Sequence, residues 1–491
     1  MPRRDNHWGA PRYKGWSMVD RDMSAEFETV GTWFLPDTPD RRVAGTLSSK
    51  AARMELHLAD SLRPMQSGPI RPEIVEYPVI HGVTRRQEAV SLFRCARVSY
   101  SLTFASGGSG QPETIWSHLA VIGASVTDQQ LYPELRCRIP GLQVWLLQRI
   151  IETVRDAEGY ALRVKKAPTE TIAIPSIGAE IDFRISGRGS PGHSTATIVA
   201  SGWLHIRPSE PKLLSWFLDQ LSTVTSLLAL LAEEPMPPDR IELKAEPHGF
   251  VLSVLAPRPS VKYCAHEEHQ KFFVARPQFG DALGRIVENW FDLFQRVELP
   301  VGLALSTMAS DDLWPHVRFL SLLQALEGLH RALFPGSYMK PEEYELVKGA
   351  LVEAIPGDVD ADHRAALTSR IRYGNEISLA KRLKNLAELL PTTLRTRILG
   401  SKEIPRSWVD TRNYYTHWDE ALRPNILSGQ AMYDASVRLT IFLRVLYLHQ
   451  AGIPSDTLEA ALNGISGAAQ HLLQLNAAPT QSGSFGSLGV G

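Results

Sequence analysis

The chain has 491 residues, 44% hydrophobic and 21% charged, which is enough for two or three domains with cores of their own. The formal net charge of −1 excludes a global basic field, so any binding of nucleic acid would need a local patch or pocket. Three cysteines, Cys95, Cys137 and Cys264, are too few for a disulfide scaffold and indicate a reducing compartment. The opening residues, MPRRDNHWGAPRYKGW, lack the apolar core of a signal peptide, so we expect a cytoplasmic protein.

The first half of the chain has the period of two that is typical of β-strands. Apolar and polar residues alternate in RMELHL (53–58), VSYSLTF (98–104), EIDFRI (180–185) and TATIVASGWLHI (195–206). Breakers such as SGGSGQ (106–111) separate these runs, as hairpin loops do. Many short strands separated by turns predict a mainly antiparallel sandwich or distorted barrel.

The period changes toward 3.6 residues at Leu213. The most apolar window, Leu213–Ala232, is interrupted by Asp219, Gln220 and several hydroxyls, so it predicts a buried amphipathic helix and no membrane span. One further hairpin is expected over Arg240–Leu255, with EPHG (246–249) as its turn.

The remainder of the chain is predicted to be helical. The first helix should begin near Ser310 or Asp311, which are good caps, and stop at Pro335-Gly336. Further helices are predicted within 339–357, within 376–390, over the stripe Met432, Ala435, Leu439, Phe442 and Leu446, and from the capping box DTLE (456–459).

These patterns predict an α+β chain in which a β-rich domain precedes an all-α bundle. The expected divisions are an N-terminal arm (1–24), a β-rich domain (25–275), a linker or helical connection (276–310), a helical domain (311–475) and a disordered tail (476–491).

Two motifs favour ordinary explanations. GRGSPG (187–192) has the spacing G-x-G-x-x-G, but a strand pattern follows it, so a turn is preferred to a dinucleotide-binding loop. CAHEEH groups Cys264, His266 and His269, which could hold zinc, but a fourth ligand at recognisable spacing is missing. We therefore predict no metal and no cofactor, with a zinc hydrolase at Cys264 as a minor alternative.

Glu327 and His330 lie one turn apart on the first of the C-terminal helices. A solvated helix edge is the preferred interpretation of this pair. The alternative is a polar role facing the site described next.

The segment RNYYTH, Arg412–His417, places a permanent cation, an amide and an imidazole within six residues. On an ideal helix, residues five apart point about 140° away from each other, so Arg412 and His417 share a face only if the helix ends between them. Asn413 suits a helix exit, and we expect the helix to end there with His417 in the following turn. The bend would bring the three groups to one point.

This set of groups suits the cleavage of RNA without a metal. Because imidazole titrates near neutral pH, His417 could deprotonate the ribose 2′-hydroxyl or protonate the leaving oxygen. Arg412 could stabilise the phosphorane, and Asn413 could orient the phosphate or the histidine. Tyr414 and Tyr415 could stack bases, although tyrosines near a helix end also fit ordinary packing. A surface arginine beside an unrelated histidine is the alternative.

Several segments together resemble one family. RNYYTH, placed before the last long helix of an all-α domain, resembles the R-N-x-x-x-H signature of HEPN ribonucleases. Four other segments resemble the opening helix and the N-terminal domain of the ApeA-like HEPN branch. They are RFLSLLQALEGLHR (318–331), FETVGTWFLPDTPDRRVAGTLSSKAARMELHL (27–58), PVIHGVTRRQEAVSLFRC (78–95) and LRCRIPGLQVWL (135–146).

The resemblance implies a β-rich recognition domain joined to a HEPN bundle, and a metal-independent endoribonuclease of bacterial anti-phage defence that acts by abortive infection. It implies that Arg412 and His417 are the catalytic pair, with Asn413 the polar residue after the arginine. It also implies a homodimer in which two motifs line one cleft. The expected partners are an RNA, such as tRNA or another structured RNA, and a phage-derived trigger for the N-terminal domain. The alternative is a non-catalytic HEPN module that dimerises or binds and senses a phage component.

Overall fold

The structure is a computed structural model, and it describes residues 23, 26–50, 53–63, 75–100, 103–105, 108–156, 159–191, 193–246, 249–256, 264 and 266–477. The expected N-terminal arm, apart from Met23, and the expected tail from residue 478 lie outside these residues. The chain divides into two compact units. The β-rich unit comprises residues 1–222 and 236–265, and the helical unit comprises residues 223–235 and 266–491.

In the part that the structure describes, the β-rich unit consists mainly of strands, together with the short helix α1 (Leu142–Trp145) and the start of a longer helix described below. The strands are β1 (Phe27–Leu35), β2 (Thr38–Lys50), β3 (Arg53–Leu58), β4 (Glu76–Thr84), β5 (Ala89–Tyr100), β6 (Thr103–Ala105), β7 (Gly108–Gly110), β8 (Glu113–Ser117), β9 (Leu119–Ile122), β10 (Leu131–Tyr132), β11 (Leu135–Arg138), β12 (Ile151–Asp156), β13 (Gly159–Val164), β14 (Glu170–Ile174), β15 (Ala179–Pro191), β16 (Ala196–Pro208), β17 (Lys212–Leu213), β18 (Arg240–Ala245) and β19 (Gly249–Leu255).

Six of these strands close into an antiparallel barrel. Its order is β5-β4-β1-β2-β3-β8, and β8 pairs again with β5. Closure leaves no free sheet edge within the ring. The prediction of a mainly antiparallel sandwich or distorted barrel is confirmed, and of its two forms the barrel is the one adopted.

The barrel core is built around Trp33, which is fully buried and donates its indole N–H to the Gly45 carbonyl at 3.3 Å. Gly82 lies opposite Trp33 in the β1–β4 register. A Cβ at Gly82 would lie 2.2 Å from the indole ring, so glycine is required at this close approach.

The sheet extends beyond the barrel from β5 through β9, β19, β18, β11, β16 and β15 to β14. The long β15–β16 hairpin pairs residue by residue from Ala179↔Pro208 to Pro191↔Ala196. The turn predicted for GRGSPG is therefore wrong for residues 187–191, which are extended, because the strand continues through both glycines to Pro191.

The helical unit is formed by α3 (Leu283–Ala309), α4 (Pro315–Leu333), α5 (Pro341–Glu353), α6 (Ala361–Arg372), α7 (Leu379–Glu388), α8 (Thr392–Leu399), α9 (Arg406–His417), α10 (Gly429–Gln450), α11 (Ser455–Leu462) and α12 (Gly467–Ala477). The predicted stripe on α10 is largely buried, which explains why this long helix forms the centre of the bundle. The α+β prediction is confirmed.

Two predicted helix starts are wrong. The α4 helix begins at Pro315, because proline occupies its first turn and Ser310 instead follows the long helix α3 in an extended conformation. The predicted DTLE box does not cap α11, which begins one residue earlier after Pro454. Asp456 lies inside the first turn, where its carboxylate interacts favourably with the positive end of the helix dipole.

The predicted amphipathic helix exists as α2 (Leu214–Ala232), which runs from the β-rich unit into the helical unit. Within the described residues, α2 is the helix that is long and apolar enough to cross a membrane, and 61% of its most apolar window is buried. In the helical unit, the Trp290 indole donates to the Thr223 carbonyl at 2.8 Å and Arg444 donates to the Leu230 carbonyl at 3.1 Å. These bonds fix the second half of α2 in the bundle core.

Candidate active site

The RNYYTH segment forms the second half of α9, and the helix continues unbroken to His417. The predicted helix exit at Asn413 is wrong. The Thr416 hydroxyl donates to the Arg412 carbonyl at 2.8 Å, one turn back, as it does inside a continuous helix. The helix ends one residue after His417, where Trp418 has a left-handed φ of 54° and donates its backbone N–H to the Tyr414 carbonyl at 2.6 Å.

An unbroken helix separates the two groups that the sequence was expected to bring together. Because five residues turn about 500°, the side chains of Arg412 and His417 leave α9 in directions about 140° apart. The His417 ring is exposed and has no hydrogen bond or ion pair to any described residue. The predicted convergence within one chain is therefore not formed.

Arg412 lies at the interface between α9 and α4. Its guanidinium donates to the Glu327 carboxylate and to the Asn413 side-chain oxygen, both at 3.3 Å. The side chains of Arg412 and Glu327 are 28% and 23% exposed, so solvent reaches the pair on one side. The Arg412 guanidinium is therefore held in place by the protein, and part of it remains accessible to solvent.

The Arg412–Glu327 pair belongs to a larger network on α4, α9, α7 and the segment between α6 and α7. Glu327 also pairs with Arg331 at 3.6 Å, Arg331 pairs with Glu376 at 3.5 Å, and Glu376 lies 4.0 Å from Arg382. Three guanidinium groups therefore share two carboxylates. This local excess of positive charge suits a polyanion, even though the whole chain is nearly neutral.

His330 connects this network to the core. Its ring is fully buried, so the solvated helix edge predicted for this residue is wrong. Nδ1 lies 3.2 Å from an Arg382 guanidinium nitrogen, and Nε2 lies 3.2 Å from the Asn385 amide. Because arginine can only donate, Nδ1 of the neutral ring accepts from Arg382. Burial, with Arg382 and Arg331 nearby, lowers the pKa of His330 to about 4.

The two tyrosines of RNYYTH differ in their surroundings. Tyr414 is 8% exposed and packs edge-on against Tyr415 and Trp418, an arrangement that favours packing over base stacking. Tyr415 is half-buried, and the His316 ring stacks on it at 5.5 Å.

His266, the histidine of CAHEEH that follows Cys264 most closely, is engaged by the protein. Its Nε2 lies 2.8 Å from the Ala232 carbonyl oxygen, and its Nδ1 lies 4.0 Å from the Glu234 carboxylate. A metal ion bound through Nε2 would have to displace the bond to Ala232.

The β-rich unit contains a cavity of about 710 Å³. Arg94 and His118 line it, together with Phe93 and Tyr132. Arg94 has a left-handed φ of 52° at the point where β5 passes Pro78 of β4, and proline provides no N–H for the ladder there. Arg94 is exposed and lines this cavity, which is large enough for a small ligand.

Sequence reasoning missed Arg331, Glu376 and Arg382 as members of the site. Glu327 and Arg331 are four residues apart, which is the spacing of an ion pair on one helix face, and this signal could have been used. Glu376 and Arg382 lie about fifty residues further along the chain, and nothing local connects them to Arg412.

Two family models match the chain. Residues 28–290 match ApeA N-terminal domain 1, and residues 320–457 match Apea-like HEPN. No curated protein and no solved structure matches the chain significantly. The first model alone covers more than half of the chain, and the second covers the helices that carry Glu327, Arg412 and His417. The chain belongs to the ApeA-like HEPN family.

Proposed function

We propose that this protein is a metal-independent endoribonuclease of bacterial anti-phage defence that acts in the cytoplasm by abortive infection. One observation supports this best. An exposed imidazole, His417, ends the helix on which Arg412 is anchored by Glu327 beside a cluster of excess positive charge. Membership of the ApeA-like HEPN family supports the same reaction class, because HEPN domains are generally ribonucleases.

In the proposed reaction, the ribose 2′-oxygen attacks the adjacent phosphorus and the bond to the 5′-oxygen breaks. One His417 ring takes the 2′-hydroxyl proton or delivers a proton to the departing 5′-oxygen. Arg412 stabilises the added negative charge on the phosphorane, and Asn413 holds the guanidinium through its side-chain oxygen. The products are a 2′,3′-cyclic phosphate and a 5′-hydroxyl.

We propose that the site is completed by a second copy of the chain. Arg412 and His417 diverge on a continuous α9, so one protomer does not present both groups to one phosphate. A two-fold axis near the end of α9 would place the Arg412 of each protomer opposite the partner's His417. The homodimer would then contain two equivalent composite sites.

The β-rich unit is proposed to sense infection and to restrain the nuclease. Its cavity, with Arg94 at the rim, is the place in this unit where part of a phage-derived trigger would bind. The RNA substrate is proposed to be tRNA or another structured RNA with an accessible single-stranded segment.

Two measurements test the proposal. The first incubates the protein with total RNA in chelator and identifies the new ends. We expect 2′,3′-cyclic phosphates and no loss of rate on removal of metal. A strict requirement for divalent metal would contradict the mechanism.

The second measurement mixes two inactive variants, Arg412→Ala and His417→Ala. A composite site contains Arg412 from one chain and His417 from the other, so a heterodimer regains one intact site. Random pairing should restore about a quarter of wild-type activity. If the mixture stays inactive although heterodimers form, the two groups act within one chain or not at all.

A second candidate function is a non-catalytic HEPN module that dimerises and senses a phage component. The divergence of Arg412 and His417 on the continuous helix α9 favours this alternative. Absence of RNA cleavage with every infection-derived trigger would support it.

A further inference from the structure

Four aromatic rings form a cluster at the His417 end of α9, and we call it the aromatic platform. It consists of Trp314, His316, Tyr415 and Trp418. The tryptophans are 72% and 67% exposed, the largest exposed fractions of any tryptophan in the described part of the chain. Two such exposed indoles within one cluster are unusual on a soluble surface and mark a binding site.

The rings contact one another in a continuous row. His316 stacks on Tyr415 at 5.5 Å with the planes 11° apart. Trp314 lies 6.5 Å from His316, and Trp418 lies 6.1 Å from Tyr415. Mutual packing holds the two half-buried rings in place and leaves the two indoles facing solvent at either end.

The backbone fixes the indole at the α9 end of the platform. Trp418 adopts a left-handed φ of 54°, which a bulky side chain rarely does. Its backbone N–H closes the end of the helix on the Tyr414 carbonyl. Backbone strain of this kind is concentrated at functional sites, and here it holds an exposed indole immediately after His417.

We propose that the aromatic platform binds unpaired nucleobases of the RNA substrate by stacking. Acidic residues border it in the sequence, with Asp311 and Asp312 before Trp314 and Asp419 after Trp418. Carboxylates disfavour phosphate there, whereas an uncharged base offers a π-face that indole and imidazole rings accept. Bases within a duplex are already stacked, so the ligand is a single-stranded segment.

The platform begins at Tyr415, one turn from Arg412 on α9, and its α4 end lies further from the anchored guanidinium. His316 and Glu327 are eleven residues apart on α4, which corresponds to about 16 Å along the helix axis. Glu327 holds Arg412, so a stacked base belongs to a nucleotide that flanks the scissile phosphate. This inference rests on the proposed ribonuclease function and adds the surface that holds the unpaired bases of its substrate.

The test measures the binding of a fluorescent single-stranded 2′-O-methyl RNA to the full-length chain by anisotropy. This probe lacks the attacking hydroxyl, so binding is measured without cleavage. We expect Trp314→Leu and Trp418→Asn each to weaken binding about 5- to 100-fold. Asparagine is chosen at position 418 because it tolerates a left-handed φ. The control is Tyr160→Leu, which removes an equally exposed ring (72%) from the β-rich unit and should leave binding unchanged.

Two further ligands identify the contact. An abasic oligomer with the same number of phosphates should bind weakly and equally to wild type and variants, and a duplex should compete poorly. Equal binding of wild type and both tryptophan variants would overturn the inference. So would variants that bind the probe normally but change the oligomeric state in solution, since the rings would then cover an interface between copies.

The outcomes separate this inference from the proposed nuclease. If the platform binds the probe but wild type never cleaves RNA, the nuclease proposal fails and the platform stands. If wild type cleaves RNA and both tryptophan variants bind and cleave equally well, the platform fails and the nuclease stands.

Discussion

Lowering the pH should destabilise the helical unit through one residue, His330. The pKa of this ring falls to about 4 in the folded protein, compared with 6.5 for an ordinary histidine. The unfolded chain therefore binds the proton more tightly, and the free energy of unfolding decreases as the pH falls from 6.5 toward 4. Protonation would replace the Nδ1 acceptor by a donor that faces the Arg382 guanidinium.

The magnitude follows from the size of the shift. One pKa unit corresponds to about 1.4 kcal/mol, so the complete effect is about 3 kcal/mol, and about 2 kcal/mol of it is lost between about pH 7.5 and pH 5. This is a large part of the stability of a typical domain. A pH drop that leaves most other contacts intact should thus loosen the packing of α4 on α7.

The assay compares wild type with His330→Gln, whose amide can accept from Arg382 and does not titrate. Urea unfolding is followed by circular dichroism at 222 nm, where the helical unit dominates. The free energy should fall about 2 kcal/mol more for wild type than for the variant between the two pH values. His363→Gln, at an exposed ring on α6, should keep the wild-type slope. Identical slopes for wild type and His330→Gln would refute the reasoning.

Three other substitutions give separate predictions. Arg412→Ala should lower the single-turnover rate of RNA cleavage about 10²–10³-fold. Arg412→Lys should lower it less, because lysine keeps the positive charge but lacks the paired N–H donors of the guanidinium. Glu327→Gln should reduce that rate about tenfold by releasing the guanidinium. The free energy of unfolding in urea should change by less than about 1 kcal/mol, because the pair is partly exposed. Gly82→Ala should destabilise the β-rich unit in limited proteolysis by about 1–3 kcal/mol or more, because the new Cβ meets Trp33 at 2.2 Å. Gly189→Ala, whose nearest neighbour would lie at an ordinary 3.9 Å, should have little effect in the same assay.

The sequence predicted the secondary structure well where one face of an element is buried. The runs 53–58, 240–245 and 249–255 form strands as expected, because the alternation of apolar and polar residues encodes which face of a strand is buried. Barrel closure depends on the pairing of β8 with β5, and no local pattern encodes that pairing. Helix α6 buries no residue of its own, so its weak apolar pattern gave no signal.

The candidate site could be predicted as a set of residues but not as a geometry. Arg412, Asn413 and His417 were recognisable from spacing, whereas the assumed helix exit at Asn413 is wrong because α9 remains regular to His417. The burial of His330 could not be predicted either, since its partners Arg382 and Asn385 lie on a different helix. Pairing across helices depends on tertiary packing, which periodicity does not specify.

The central claim is that His417 transfers a proton during metal-free cleavage of RNA, and the single-turnover rate in chelator tests it most directly. His417→Ala should remain folded, because the ring is exposed, and should cut single-stranded RNA about 10²–10⁴ times more slowly than wild type. Cleavage by His417→Ala at the wild-type rate would contradict the account.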